Sequence, residues 1–236
     1  MTEELFREEA YLKSCEARVV GVNERGGVIL DRTVFYPTGG GQPGDRGIFR
    51  LADGRELAIA TTVYDSDGSS IVHVPADGGP AVAPGDGLTA EIDWDRRYRL
   101  MRAHTALHLL CAVVAFPVTG GQVGEAEGRL DFDIPEAVLE KDDIARRINA
   151  HVAAGHPVSH RWITDEEMAA RPELVRTMLV KPPSGRGRVR LVEIADCDLQ
   201  PCGGTHVAST AEIGEASIEK IEKKGAINRR VRLRLA

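Results

Sequence analysis

The sequence predicts an α+β protein in two parts, and three observations carry that prediction. Short apolar or alternating runs, punctuated by Gly, Asp and Pro, fill roughly the first ninety residues. A Gly- and Pro-rich stretch, ADGGPAVAPGDG at 76–87, ends that region. From residue 94 onward the apolar spacing becomes helical and then mixed. In the first part ARVVGV (17–22), GGVILD (26–31), TVFYPT (33–38) and SSIVHV (69–74) read as strands of a small barrel or sandwich. In the second part residues 94–116 hold no Gly or Pro, and Leu100, Ala103, Leu107, Leu110 and Val114 recur at helical spacing until Pro117 stops the helix. A further helix is predicted over 136–154, with Val138, Leu139, Ile144, Ile148 and Val152 on one side. A strand at 158–163, a short helix at 165–170, a strand at 188–194 and two closing strands at 216–221 and 230–235 follow. The boundary is placed near residue 90, giving a β-rich segment 1–90 and a mixed segment 91–236.

With 236 residues the chain is long enough for one large domain or two modest ones. Hydrophobic residues make up 42% and charged residues 28%, a balance that fits a soluble globular protein. No apolar run is long enough for a transmembrane helix, so no membrane partner is expected. The acidic, polar start MTEELFREEA is unlike a leader peptide, and the expected location is cytoplasmic. Cys15, Cys111, Cys197 and Cys202 are scattered in a chain too large to need staples, which predicts reduced thiols. The net charge of −6 argues against a nucleic-acid partner when taken alone. The charge is uneven, however. Residues 220–236 set Lys220, Lys223, Lys224, Arg229, Arg230, Arg232 and Arg234 against the single Glu222, and Arg96, Arg97, Arg99 and Arg102 precede a histidine pair. Such runs are either solvated faces or sites for a polyanion.

His104 and His108 lie four residues apart in the predicted helix, so both imidazoles share one face. Cys202-Gly-Gly-Thr-His206 supplies a second couple in a glycine-rich loop after a strand. Three imidazoles and a thiolate suit zinc, which prefers nitrogen and sulfur ligands. Neither half is specific by itself, since about 0.2 His-x-x-x-His pairs arise by chance in such a chain. The alternatives are two satisfied polar histidines beside a core helix and a cysteine acting as a small buried hydrophobe. His156 and His160 share the spacing, but Pro157 places them at a turn into a strand, where residues four apart stand about 13 Å from each other. They are read as surface residues, and His73 and His151 as structural or exposed ones without partners.

Further segments narrow the choice. HTALH (104–108) followed by PCGGTHV (201–207) resembles the editing domain of alanyl-tRNA synthetases, and is most similar to the free-standing alanyl-tRNA editing proteins of the AlaX family. FYPTGGGQPGDRG (35–47) resembles that family's glycine-rich motif. GGQVG (120–124) with RLDF (129–132) resembles the segment between its metal motifs, and VEI (192–194) and Ile213-Gly214 match its C-terminal portion. The resemblance runs from about residue 15 to the end. It implies a small β-barrel-like N-terminal domain followed by an α/β two-layer editing domain of the kind shared by threonyl- and alanyl-tRNA synthetases. It also implies a hydrolase that removes a wrong amino acid, serine or glycine, from the acceptor end of alanine tRNA. No class II aminoacylation domain is visible, so no ATP-dependent aminoacylation is expected.

One zinc ion per chain, held by His104, His108, Cys202 and His206, would supply either an activated water or a hold on the substrate amine. If all four ligate tightly the site is closed, and catalysis then needs His206 to be loose or zinc to expand its coordination. To spare Ala-tRNA the pocket must recognise the serine hydroxyl, which can discriminate by about 10⁴–10⁵. Thr119 and Gln122 are the candidates, with Thr105 and Thr205 nearer the metal motifs in sequence. Gly40, Gly41 and Gln42 of the glycine-rich motif are expected to help recognise the tRNA or to screen Ala-tRNA, and Arg96, Arg97, Arg102 and the basic tail to meet phosphates. The rivals are an editing enzyme for threonine tRNA, a non-catalytic zinc module that binds tRNA, and a thiol enzyme with Cys202 as nucleophile and His206 as base.

Overall fold

The computed structural model describes residues 2–66, 68–134, 139–175, 187–225 and 227–236. The chain divides into two compact units, Met1–Gly39 with Pro43–Tyr98, and Gly40–Gln42 with Arg99–Ala236.

The first unit holds β1 (Glu3–Glu4), β2 (Ser14–Val22), β3 (Val28–Leu30), β4 (Arg32–Thr33), β5 (Gly47–Leu51), β6 (Glu56–Tyr64), β7 (Ile71–Pro75) and β8 (Gly87–Ile92). Six of these strands close a barrel in the order β2-β3-β7-β6-β5-β8. β8 comes after the Gly/Pro stretch expected to end this region, and it seals the barrel by pairing with both β2 and β5. Its alternate residues Leu88, Ala90 and Ile92 point into a core with Val19, Leu30, Phe35, Phe49 and Ile59, as the two-residue period of a strand requires. The strand expected at 33–38 ends at Thr33. Pro37 has no N–H for a ladder. The Tyr36 N–H donates to Asp45 Oδ2 at 2.6 Å and the Thr38 N–H to the Thr62 carbonyl at 2.9 Å. Val34, Phe35 and Tyr36 are buried nonetheless, so the apolar run reported burial and not extension.

Arg97, expected to meet phosphates, is 0% exposed. Its guanidinium grips both oxygens of Asp45 and donates to the carbonyls of Val34 (2.7 Å) and Ala10 (3.0 Å). A side chain so enclosed has no reach to a polyanion, and its role is to tie the N-terminal segment and the Asp45 turn to the start of the long helix.

His73 is wholly buried between the rings of Phe35 and Phe49, at 5.3 and 5.2 Å. It is not without partners: Nδ1 donates to the Val28 carbonyl (3.0 Å), and Nε2 accepts from Thr33 Oγ1 (2.8 Å). Burial lowers its pKa from 6.5 to about 4. The unfolded chain therefore takes up a proton that the folded barrel refuses. Stability contributed by neutral His73 is complete above pH 6.5 and is lost as the pH falls toward 4, by about 3 kcal/mol over the full span. In urea unfolding from pH 7.5 down to 4.5, the wild type should lose more than 2 kcal/mol beyond what His73→Gln loses, by the same linkage. Equal losses in the two proteins would assign the acid sensitivity to other groups.

Helix α1 starts in the first unit and spans Trp94–Val114. The second unit continues with β9 (Val118–Val123), β10 (Glu127–Asp133), α2 (Lys141–Ala154), β11 (Val158–Thr164), α3 (Asp165–Ala169), β12 (Arg188–Ile194), β13 (Asp198–Pro201), β14 (Ala216–Lys224) and β15 (Asn228–Leu235). Its strands form a four-stranded sheet, β14-β15-β10-β9, and a three-stranded sheet, β11-β12-β13. The chain is thus mixed in class, with a barrel-like sheet and few helices. α1 is buried continuously from Ala103 to Cys111, the behaviour of a helix that is apolar on nearly all sides. α2 begins at Lys141, later than expected: residues 135–138 lie outside the described residues, and Glu140 is extended. It ends at Gly155, whose φ of 64° is the left-handed conformation that favours glycine. β9, β10 and β13 were not expected: Gly120 and Gly121 interrupt the apolar pattern of β9, and β13 is only 4 residues long. His151 also has a partner: its Nδ1 lies 3.2 Å from Nε2 of His156. Among the described residues no helix is long and apolar enough to cross a membrane.

Candidate metal centre

α1 presents His104 and His108 from one face, and the loop after β13 brings Cys202 and His206 to them. One ligand atom from each of the four residues lies within 4.8 Å of all the others. Cys202 Sγ is 3.6 Å from His104 Nε2 and 3.3 Å from His206 Nε2. Bonds of about 2.3 Å to sulfur and about 2.05 Å to nitrogen around a tetrahedral ion would set a sulfur–nitrogen separation near 3.6 Å. The donor set and its spacing therefore fit one such cation. The three histidines are 6–7% exposed and Cys202 is half-buried.

The outward nitrogens decide the orientation of the rings. His108 Nδ1 donates to Asp198 Oδ2 at 3.0 Å. His206 Nδ1 donates to Thr105 Oγ1 at 3.1 Å, because the Thr105 hydroxyl proton is spent on the Met101 carbonyl at 2.9 Å. His104 Nδ1 donates to Gln42 Oε1 at 2.8 Å. Every ring thus keeps a proton on Nδ1 and turns its Nε2 toward the cluster, the arrangement found around metal-ligating histidines.

Electrostatics within the cluster follow from its burial. Desolvation opposes charge on Cys202, but the charge of nearby His104 and the hydrogen bonds of His104 and His108 outweigh it and hold the thiol well below its ordinary pKa. Burial, with the nearby His104, lowers His206 to about 3. Burial also acts against a charge on His108, yet the Asp198 carboxylate and Cys202 raise its pKa to about 9. A thiolate and a neutral His206 are the forms a cation needs, and His108 is the group from which it would displace a proton.

Several residues that serve the site were not singled out from the sequence. Asp198 and Gln200 occupy the two buried positions of β13, and Gln200 Nε2 donates to Asp198 Oδ2 at 2.7 Å. Buried Arg190 on β12 donates to the carbonyls of Cys202 (3.1 Å) and Gly204 (3.0 Å), gathering the loop. Polar residues alternating into the core just before a Cys-Gly-Gly loop were the available signal.

The other predicted residues scatter. Gln42, Thr105 and Thr205 are 0% exposed and stand behind the cluster. Thr119 lies on β9, its hydroxyl directed at Asn228 Oδ1 (2.8 Å) and the Asp131 carbonyl (3.1 Å). Gln122 is exposed on the same strand beside Arg129. Gly40 and Gly41 have φ of 55° and 82°, and a Cβ on Gly41 would stand 2.8 Å from the Gly121 carbonyl oxygen. Arg102 is occupied by the carbonyls of Ile213 (2.9 and 2.7 Å) and Ala236 (3.1 Å).

Fold and site define a relative of the aminoacyl-tRNA synthetases. Residues 189–232 match the family described as the threonyl and alanyl tRNA synthetase second additional domain, and residues 8–96 match tRNA synthetases class II (A). The alanyl-tRNA editing protein AlaX-M of Methanosarcina acetivorans is 36% identical over 98% of this chain and 98% of its own length. AlaX-M of Saccharolobus solfataricus is 34% identical over the same shares. The alanine–tRNA ligase of Pyrobaculum aerophilum is 37% identical over 94% of this chain but only 25% of its own length. The chain belongs to the AlaX-M family of alanyl-tRNA editing proteins.

Proposed function

We propose that this chain is a trans-editing hydrolase that deacylates mischarged alanine tRNA, chiefly Ser-tRNA(Ala) and also Gly-tRNA(Ala), using one zinc ion per chain held by His104, His108, Cys202 and His206. The observation that carries the reading is the convergence of three imidazoles and a thiol, each ring fixed from behind, in a member of an alanyl-tRNA editing family. Bound there, zinc supplies a Lewis acid able to lower the pKa of water to about 7. The protein's own part is to hold the ligands, exclude bulk water and orient the ester. A thiol mechanism with His206 as base is less well supported, because burial lowers His206 to about 3, too weak a base to hold the thiol's proton near neutral pH.

Selectivity against alanine then requires a polar group for the serine hydroxyl, left unpaired by Ala-tRNA. Thr119 and exposed Gln122 on β9 remain the candidates. Exposed Lys220, Lys223, Lys224 and Arg234 on β14 and β15 are the proposed phosphate contacts, with affinity falling steeply as salt rises. Glu222 stays ionised among these cations, its pKa drawn down to about 2 by Arg232 and Lys220. The proposed location is the cytoplasm, where such a tRNA would be met.

Deacylation of Ser-, Gly- and Ala-tRNA(Ala), and of Ser-tRNA(Thr), with and without a chelator, tests the proposal. Fast, chelator-sensitive release from Ser-tRNA(Ala) with Ala-tRNA(Ala) spared is expected. Preference for the threonine tRNA, or no turnover at all, would move the chain to one of the other classes.

A further inference from the structure

We propose that Gln42 is the positioning residue that sets the orientation of His104 and latches the Cys202–His206 loop onto it. The proposal rests on reading the four-residue cluster as a metal site. Gln42 is 0% exposed, so it does not meet a substrate from solution. Its amide makes three hydrogen bonds. Oε1 accepts from His104 Nδ1 at 2.8 Å and from the Thr205 backbone N–H at 3.2 Å, and Nε2 donates to Thr205 Oγ1 at 2.8 Å. The backbone N–H is an obligatory donor, so it fixes which end of the amide faces it. Oε1 must therefore lie between Thr205 N and His104 Nδ1. His104 Nδ1 then carries the proton, and only Nε2 is left with a lone pair for the cluster.

The surroundings make this latch specific. Gly204 precedes the latched residue, and a Cβ there would collide with the His104 ring and lie 2.9 Å from Gln42 Oε1. The loop can close on the His104–Gln42 pair only without that carbon. On the other side the Val123 N–H donates to the Gly41 carbonyl at 2.8 Å, and Gly41 passes against Gly121. Residues 40–42 thus form a strap from the edge of β9 to the cluster. The left-handed backbone at Gly40 and Gly41 allows the strap its turn. A motif expected to face tRNA instead sends its glutamine inward, to the ligands.

The test uses the full-length chain and zinc or cobalt(II) alone. Gln42→Leu keeps the volume and removes all three hydrogen bonds. Gln42→Glu keeps an acceptor for His104 and Thr205 N. By the usual effect of such partners, Gln42→Leu should bind zinc about 10–100-fold more weakly in competition with a chelator. Its cobalt(II) ligand-field spectrum should shift, while Gln42→Glu should stay within a few-fold of wild type with the native spectrum. In Ser-tRNA(Ala) turnover, kcat should fall in Gln42→Leu with KM little changed. If Gln42→Leu does not fold, Thr205→Val, which removes only the Nε2 contact, should still weaken zinc measurably. Native zinc affinity and cobalt spectrum in Gln42→Leu, or equal loss in Gln42→Leu and Gln42→Glu, would overturn the proposal. The metal readout needs no tRNA. Weakened zinc in a chain whose wild type never deacylates tRNA would leave the latch standing and sink the proposed function.

Discussion

Cys202→Ala is expected to lower Ser-tRNA(Ala) deacylation about a thousandfold, and His104→Ala and His108→Ala are expected to do the same. A zinc ion held by these residues would supply several kcal/mol of transition-state stabilisation as a Lewis acid, and about 4 kcal/mol corresponds to three powers of ten in rate. Ligands act as a unit, so combining two of these changes should add little to the loss. Single-turnover deacylation, measured beside the zinc content of each protein, checks both statements. The outcome separates the chemical alternatives. A nucleophilic Cys202 predicts that the chelated wild type still works and that His108→Ala retains much of its activity. A purely structural ion predicts that chelation unfolds the second unit and that no deacylation is seen to lose. Activity that disappears with chelator, returns with zinc and stays absent in the histidine variants is what the metal reading demands. Asp198 should behave as an intermediate case. With Asp198→Asn, His108 loses its carboxylate partner, and affinity for zinc should fall about tenfold or more.

The largest effect on stability is expected at a residue remote from chemistry. Arg97→Met should cost about 3–5 kcal/mol, because it leaves the carboxylate of Asp45, 1% exposed, without its guanidinium. Two carbonyls, of Val34 and Ala10, lose their donors as well. Lysine should not rescue the change, since a single ammonium cannot reproduce the two-pronged grip on Asp45 while also reaching both carbonyls. Arg97→Met combined with Asp45→Asn should recover part of the loss, since no buried charge is then stranded. Urea midpoints of the three variants measure these differences. A cost below about 1 kcal/mol for Arg97→Met would show that the pair is solvated in solution, as exposed pairs are.

Arg97 also marks where reading charge from sequence misleads. Arg96, Arg97, Arg99 and Arg102 form one basic run, yet each is used differently. Arg97 is buried on Asp45, Arg99 pairs with Glu125 at 2.8 Å, Arg102 holds carbonyls, and Arg96 donates to the Gly44 carbonyl at 2.9 Å. A helix rotates successive residues by about 100°, so neighbours in sequence meet different surroundings. The strands that escaped notice fail for a related reason. In β9 two glycines sit inside a paired strand, and a Cβ on Gly121 would stand 2.9 Å from Leu130 Cδ2, a contact no local pattern announces. TVFYPT had the composition of a strand, and its burial came from a loop.

Elements with a strong local period were legible: α1, β7, β12 and β15 stand close to where apolar spacing put them. The sequence by itself determined the two candidate ligand couples, because helical i, i+4 spacing and a Cys-x-x-x-His loop are short-range features, and the family's motifs joined them into one set. Only the tertiary structure decided what stands behind those ligands. Gln42 reaches His104 from 62 positions away and Asp198 reaches His108 from 90, and hydrogen bonds between such distant residues leave no period in the chain to read.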